Sequence, residues 1–557
     1  MLKKNRILKA GIVLLIGGTV ALFSFRSADD SYFEVSRNID IFTTLFRELN
    51  IYYVDQTDPA ELVRRGIDSM LAGLDPYTQY IPESELEDYR YLTTGQYGGI
   101  GALIGQREEG VIITDPYEGY PAQKAGIVAG DRILEIDGKS VKGKNYDDVS
   151  RMLKGTPNSV VNVKVERQGE PAPINKSIRR EEIKIKNVPY FGIVENNIAY
   201  IRLTGFTEDA GQEVKNAVED LRKKNTLKGI ILDLRSNPGG LLNEAVNVVN
   251  VFVDKGQEVV STKGKVTELN KTYKTLNSSV DANTPMAVLV NSGSASAAEI
   301  VSGSLQDLDR AIIIGQRTFG KGLVQSTRPL AYNAQLKITT SKYYIPSGRC
   351  IQALDYTHRN ADGSVGKVPD SLMNAFKTKK GRVVYDGGGI APDFTMEIPE
   401  YSPISTSLIT KYLLFDFATD FHLKNSTIAD ARNFSISDAQ YTSFKSWLSS
   451  KEYDYITESE RKLDELKVQA EKEKYYDAIA PQYELVKQKL AHDKTQDLSI
   501  HKDEITEFLE NEIVSRYYYQ NGRVENGFRH DPEIKMAVKA LSDPAVHAAV
   551  MARTYKP

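Results

Sequence analysis

The spacing of apolar and polar positions changes character several times along the chain, and each change marks a different kind of element. In Ile39-Asp-Ile-Phe-Thr-Thr-Leu-Phe-Arg-Glu-Leu49 apolar residues recur every three or four positions, the period of a helix with one covered face. Asp58-Pro-Ala-Glu-Leu-Val63 predicts a second helix start, with proline in the first turn, where no backbone N–H is needed. Leu74-Asp-Pro-Tyr-Thr-Gln-Tyr80 then breaks the helical pattern. From about 86 to 186 the apolar runs shorten to strand length: Gly99 to Ile104, Val111 to Thr114, Arg132 to Ile136 and Val160 to Val165, with one small helix near Tyr146 to Leu153. Short runs separated by turn residues predict a compact module built mostly of strands.

Between 187 and about 400 apolar strands alternate with helices. Ile198 to Leu203 reads as a strand, Thr207 as the cap of a helix running to about Lys224, Gly229 to Leu234 as a buried strand, and Leu241 to Val253 as a helix. Met286 to Val290 and Ala311 to Ile314 are further strands with a helix between them. Such alternation predicts an α/β domain with a largely parallel sheet. Beyond 400 the chain turns helical and charged, as in Ser459-Glu-Arg-Lys-Leu-Asp-Glu-Leu-Lys-Val-Gln-Ala470. The Tyr-rich stretch Arg516-Tyr-Tyr-Tyr-Gln520 reads as helix packing.

Length changes this picture only by requiring several domains, since 557 residues exceed one ordinary core. A formal charge of −3 gives no basic excess that would call for nucleic acid. The N-terminus stands apart: Lys3, Lys4, Arg6 and Lys9 precede sixteen uncharged residues, Ala10 to Phe25, and then Arg26. That is the layout of an export signal or a short membrane anchor, although the apolar run falls short of the roughly 20 residues of a comfortable span. The expectation is export to a bacterial periplasm with retention at the inner membrane through residues 1–28. A single cysteine, Cys350, cannot form an internal disulfide.

The candidate chemistry begins at Ala311-Ile-Ile-Ile-Gly-Gln-Arg-Thr-Phe-Gly-Lys-Gly322, which falls one residue short of a phosphate-binding loop. Such a loop needs Ser or Thr after its lysine and a helix behind it. Here Gly322 follows Lys321, and Leu323-Val-Gln-Ser-Thr-Arg328 reads as a strand. The other role for a lysine at an α/β strand end is a general base. The amine must then be neutral near pH 7, which asks for a pKa of about 7–8 in place of the ordinary value near 10.4. Phe319 and the strand behind it are the candidates for desolvating Lys321, and Gly320 and Gly322 let its backbone approach a partner.

A base needs a nucleophile, and Asn291-Ser-Gly-Ser-Ala-Ser-Ala-Ala-Glu-Ile300 supplies one on a strand-to-helix turn, where helix-end amides stabilise developing negative charge. The competing reading of these serines is simple helix capping. All six histidines lie beyond residue 357, away from the strand ends, so a base for Ser296 would be lysine. With one cysteine and no His-Glu-x-x-His, no metal site is expected. An oxyanion hole needs two backbone amides. Ala297 is one candidate, and the turn closing Ile230-Ile-Leu-Asp-Leu-Arg-Ser-Asn-Pro-Gly-Gly240 offers the other.

Asp233-Leu-Arg-Ser-Asn-Pro-Gly-Gly240, Gly293-Ser-Ala-Ser-Ala-Ala-Glu299 and Thr318-Phe-Gly-Lys-Gly-Leu-Val-Gln325, in that order, closely resemble the carboxyl-terminal processing proteases, over roughly residues 40 to 395. The resemblance implies a serine nucleophile, a lysine base and a supporting glutamine, here Ser296, Lys321 and Gln325, with Gly239 or Gly240 and Ala297 as the oxyanion hole. Ala298 stands where many relatives have a second serine, a change too small to remove activity. Tyr97-Gly-Gly-Ile-Gly-Ala-Leu-Ile104, Pro121-Ala-Gln-Lys-Ala-Gly126 and Gly130-Asp-Arg-Ile-Leu-Glu-Ile-Asp-Gly138 look like a PDZ domain, with Gly98, Gly99, Ile100 and Gly101 in its peptide-binding loop. Leu74-Asp-Pro-Tyr77, Tyr343-Tyr-Ile-Pro-Ser-Gly-Arg349 and Gly387-Gly-Gly-Ile-Ala-Pro-Asp393 are also similar to segments of these proteases, and are taken as turns and packing.

The expected architecture is therefore a multidomain α/β protein. It comprises a signal or anchor (1–28), an N-terminal helical segment (29–85), a PDZ β module (86–186), an α/β serine protease core with a crotonase-like or ClpP-like sheet (187–400) and an all-helical C-terminal domain of unassigned role (401–557). The expected function is a serine endopeptidase that recognises C-terminal ends of envelope proteins through the PDZ domain and cuts by acyl-enzyme chemistry, without cofactor or metal. Expected partners are unfolded or tail-bearing protein substrates, the membrane through the N-terminal segment, and a second copy of the chain or a regulatory adaptor. The rival readings are a catalytically silent PDZ adaptor that delivers substrates to another protease and, more weakly, an acyl-CoA enzyme.

Overall fold

The structure, a computed structural model, describes residues 32–360, 362–398, 400–492 and 494–555 and divides at Tyr80/Ile81 into two units. The expected signal or anchor, residues 1–28, lies outside the described residues. Among the described residues no helix is long and apolar enough to cross a membrane. In the first unit residues 32–52 are helical, and Pro59–Ala72 forms a second helix whose cap, Asp58, accepts the N–H groups of Ala60 and Glu61 at 2.8 and 3.2 Å. The Asp75 carboxylate accepts the N–H groups of Tyr77 and Thr78, both at 2.8 Å, and so fixes the turn that breaks the helical pattern.

In the second unit the strand-rich module is a sheet ordered Ala102–Arg107, Gly110–Pro116, Arg132–Ile136, Val160–Glu166, Ile174–Arg179, with the helix Tyr146–Leu153 beside it. The single strand expected over Gly99 to Ile104 is instead two. Gln96–Gly99 pairs with Glu181–Lys184, Ala102–Arg107 pairs with Gly110–Pro116, and Gly101 at φ +70° turns the chain between them. A left-handed glycine cannot continue a ladder, which is why the run divides there.

The central sheet is ordered Tyr190–Ile193, Ile198–Arg202, Gly229–Asp233, Met286–Val290, Ile312–Gly315, Phe394–Thr395, the first pair antiparallel and the others parallel. Its strands are apolar on both faces and therefore need cover on both. Ile230, Leu232, Val288 and Ile313 face the helices Ala210–Lys224, Leu242–Phe252 and Ala297–Asp307. Thr207 does not cap the first of these: Asp209 occupies the cap position, and the Thr207 hydroxyl donates instead to Asn187 Oδ1 at 3.0 Å. The alternate residues Ile231, Leu289 and Ile314 face Ile534, Ala537 and Leu541 of the helix Pro532–Ser542, near the end of the chain.

That second cover comes from within the segment 401–557, expected as an all-helical C-terminal domain. The helices from Pro403 to Gly527 have their own core around Phe417, Phe444, Leu509 and Ile513, but the helix Pro532–Ser542 returns to complete the six-stranded sheet. The helical domain also touches the strand module, where Arg107 pairs with Asp416 at 2.5 Å and Gln123 donates to the Tyr519 hydroxyl at 2.7 Å. Leu541 is 7% exposed and lies over Gly229, so Leu541→Ala should cost about 2–5 kcal/mol. Urea unfolding checks this, and an unchanged midpoint would mean that this helix does not cover the sheet.

Candidate active site

The site forms at the carboxyl ends of the parallel strands, where the chain leaves the sheet in open loops. Met286–Val290 leads through Asn291 into the helix Ala297–Asp307, and Ser296 stands at the turn between them. Its backbone is held at φ +55°, ψ −114°, a region that L-residues avoid at a cost of about 1–3 kcal/mol. The two serines of this turn part company. Ser294 is fully buried and its hydroxyl donates to the Leu234 carbonyl at 2.7 Å while accepting the Asn291 N–H at 3.0 Å. Ser296 is half-buried and can be reached.

The contact that assembles the site comes from Glu299, quoted above as part of a motif but given no role from sequence. Its side chain is fully buried and takes four hydrogen bonds. Oε1 accepts the Thr318 hydroxyl at 2.5 Å and the Gly320 N–H at 2.7 Å. Oε2 accepts the N–H groups of Ser296 and Lys321, both at 2.9 Å. One carboxylate oxygen thus pins the backbones of Ser296 and Lys321 together. Tyr343 makes a second clasp on the carbonyl side: its hydroxyl donates to Lys321 O at 2.5 Å and lies 3.2 Å from Ser296 O. Tyr343 is buried on the strand Gln335–Tyr344, so the segment taken from sequence as packing reaches the site.

Burial pushes the Glu299 carboxyl up from the ordinary 4.5 to about 7, outweighing the hydrogen bonds from Thr318, Lys321, Gly320 and Ser296 that favour its ionised form. Phe319, expected to shield Lys321, is 50% exposed; its N–H donates to Ser294 O at 3.0 Å and its ring faces outward. Gln325 lies on the strand Leu323–Pro329, and its amide donates to Thr339 Oγ1 at 3.1 Å across the hairpin.

The turn 236–240 packs directly on the serine: a Cβ at Gly239 would come within 2.8 Å of both the Ala297 nitrogen and the Ser296 Cβ, so only glycine fits there. The Gly239 N–H is engaged, donating to Asn237 Oδ1 at 2.9 Å. Among the described residues the N–H groups of Gly240 and Ala297 have no acceptor, which leaves those two amides for an oxyanion.

In the strand module, Gly99 and Ile100 line a cavity of 150 Å³ together with Tyr91, Tyr97, Tyr117 and Leu153. Gly98 and Gly101 do not line it. Gly98 packs on the Gly155 backbone, and Gly101 supplies the turn. The N–H groups of Ile100 and Gly101 have no acceptor among the described residues, and Ala102–Arg107 is an edge strand.

Residues 197–358 match peptidase family S41, residues 112–167 match the PDZ domain, and residues 404–541 match the C-terminal helical domain of probable PDZ-proteases. The last match gives a family to a segment that the sequence reading left unassigned. A carboxy-terminal-processing protease of Bartonella bacilliformis is 36% identical over 362 residues, covering 64% of this chain and 82% of that protein. A probable CtpA-like serine protease of Staphylococcus aureus is 35% identical over 377 residues, covering 67% of this chain and 68% of that protein. Among solved structures, a photosystem II D1 C-terminal processing protease is 28% identical, with a TM-score of 0.36 over 64% of this chain and 92% of that one.

Replacing Glu299 by Gln keeps the shape but turns an NH₂ toward backbone N–H donors, so turnover should fall by roughly 10²-fold. The same substitution exposes a pH dependence. The folded protein holds the Glu299 proton to about pH 7, while the unfolded chain releases it near 4.5. The resulting stability is complete below the unfolded value and is lost as pH rises through the folded one. Wild type should therefore lose about 3 kcal/mol between pH 4 and 8 relative to Glu299→Gln. Parallel stability curves for the two proteins would refute this.

Proposed function

The chain belongs to peptidase family S41 and is a PDZ-bearing C-terminal processing serine protease, and from that premise we propose that it cuts by acyl-enzyme chemistry on a Ser296–Lys321 dyad. The observation that carries the reading is the shared Glu299 oxygen, which keeps the two backbones adjacent. Ser296 Oγ attacks the scissile carbonyl as its proton passes to a neutral Lys321 amine. The oxyanion draws on the Ala297 and Gly240 amides, the lysine returns its proton to the leaving amine, and water, deprotonated by the same lysine, hydrolyses the acyl-enzyme. Gln325, four residues beyond the lysine, supports it from the hairpin.

Substrate enters through the PDZ module. Free amides at Ile100 and Gly101 suit a terminal carboxylate, the edge strand Ala102–Arg107 suits an extended peptide, and the tyrosine-lined cavity takes the last side chain. The substrates are unfolded or tail-bearing proteins of the bacterial envelope, and the enzyme is exported and held at the inner membrane by residues 1–28.

Incubation of the protein with an unstructured substrate ending in a nonpolar residue tests the reading. Ser296→Ala should abolish cleavage while peptide binding persists. Lys321→Arg should lose about 10²–10⁴-fold, because guanidinium cannot accept the proton. Near wild-type turnover by Lys321→Arg would remove lysine from the base role. Amidating the substrate's C-terminus should weaken binding, and equal cleavage of both forms would show that chain ends are not read.

A further inference from the structure

The helix Pro532–Ser542 does more than cover the sheet, because its first turn points at the carboxyl ends of the catalytic strands. Asp531 caps it, with Oδ1 accepting the N–H groups of Glu533 and Ile534 at 2.9 and 3.0 Å. The other oxygen of Asp531 accepts Arg235 Nη1 at 2.7 Å, and Glu533 Oε2 accepts the same nitrogen at 2.5 Å. The far edge of the Arg235 guanidinium is held by Asp233, which accepts Nη2 at 2.6 Å and also takes the Tyr200 hydroxyl at 2.6 Å. Arg235 is thus clamped among three carboxylates, and it stands immediately before the turn 236–240 that packs on Ser296. The second oxygen of Glu533 accepts Gln316 Nε2 at 2.7 Å, and Gln316 begins the loop that carries Lys321.

We propose that Asp531 and Glu533, from the C-terminal helical segment, are positioning residues that hold the oxyanion turn and the lysine loop in register through Arg235 and Gln316. This inference rests on the serine protease reading above. Glu533 is 9% exposed and joins both loops with one carboxylate, so its two anchors cannot shift independently. Burial raises its carboxyl, with Arg235 acting in the opposite direction, and burial likewise raises the Asp233 carboxyl before Arg235 overcomes that and holds it low. A cluster of this kind is expensive to break, since losing one member leaves the guanidinium buried with less compensation. It makes the helical segment part of the catalytic apparatus, though it touches no substrate.

The test compares full-length wild type, Glu533→Gln and Asp531→Asn, the latter keeping a good helix cap while removing the charge. Three quantities are read: kcat and KM on the unstructured substrate, the rate at which a fluorophosphonate labels Ser296, and affinity for a C-terminal peptide. Displaced loops should slow kcat and labelling by roughly 10- to 100-fold in the folded protein, leaving KM and peptide affinity nearly unchanged. A merely structural role would lower the melting temperature without changing the rate per folded molecule. Wild-type kcat and labelling in the variants, or a loss that disappears once corrected for the folded fraction, overturns the proposal. If Glu533→Gln does not fold, Asp531→Asn decides. Failure of the wild type itself to cleave or label would instead strike the protease reading, and this inference with it.

Discussion

A single buried carboxylate, that of Glu299, holds the site together. Four donors from two segments converge on it: Ser296 at the serine turn, and Thr318, Gly320 and Lys321 in the one loop that leads from the strand Ile312–Gly315 to the strand Leu323–Pro329. The two segments are separated by the helix Ala297–Asp307 and the strand Ile312–Gly315, and the loops carrying them are the least constrained parts of an α/β fold. Without a common acceptor, the strained backbone of Ser296 would have no reason to persist, because relaxing its φ would recover the strain. With it, relaxing would leave a buried carboxylate short of a partner, which costs more.

The arrangement ties activity to a stability penalty. A carboxyl pushed to about 7 by burial is most comfortable protonated, yet only the ionised form accepts from all four donors at full strength. As pH rises through about 7, the Glu299 clasp tightens electrostatically while the fold bears the desolvation of its charge. Sites of this kind survive only where the surroundings determine them from several directions. Tyr343 supplies one such constraint from the hairpin, and Asn237 another from the turn 236–240. The helix Pro532–Ser542 closes the sheet beneath them.

Much of the architecture was legible in the sequence because it rests on local periodicity. The strand Met286–Val290 and the helix Tyr146–Leu153 fall where apolar spacing puts them. What was not legible depends on contacts between distant positions. Thr207 looks like a cap and is drawn away by Asn187, and Gly101 splits an apparent strand through a φ value that composition does not reveal. The second cover of the sheet could have been anticipated in principle: strands apolar at every position must be buried on both faces, yet the helices between them cover only one. The missing layer had to come from elsewhere in the chain. At the site, residue types and spacing pointed to Ser296, Lys321 and Ala297 as candidates, and the structure brings the first two backbones together, whereas Glu299 and Tyr343 could not be given their parts, because a helix-turn glutamate and a strand tyrosine look ordinary until the loops that meet them are in place.

The most direct test is a carbon-13 titration of the Glu299 carboxyl in glutamate-labelled protein, with Glu299→Gln identifying the signal. A buried carboxylate clasping four donors predicts a midpoint near 7. A midpoint near the ordinary 4.5, as for a solvated glutamate, would mean that the carboxyl is not enclosed between the Ser296 and Lys321 amides, and the account built on that contact would fail.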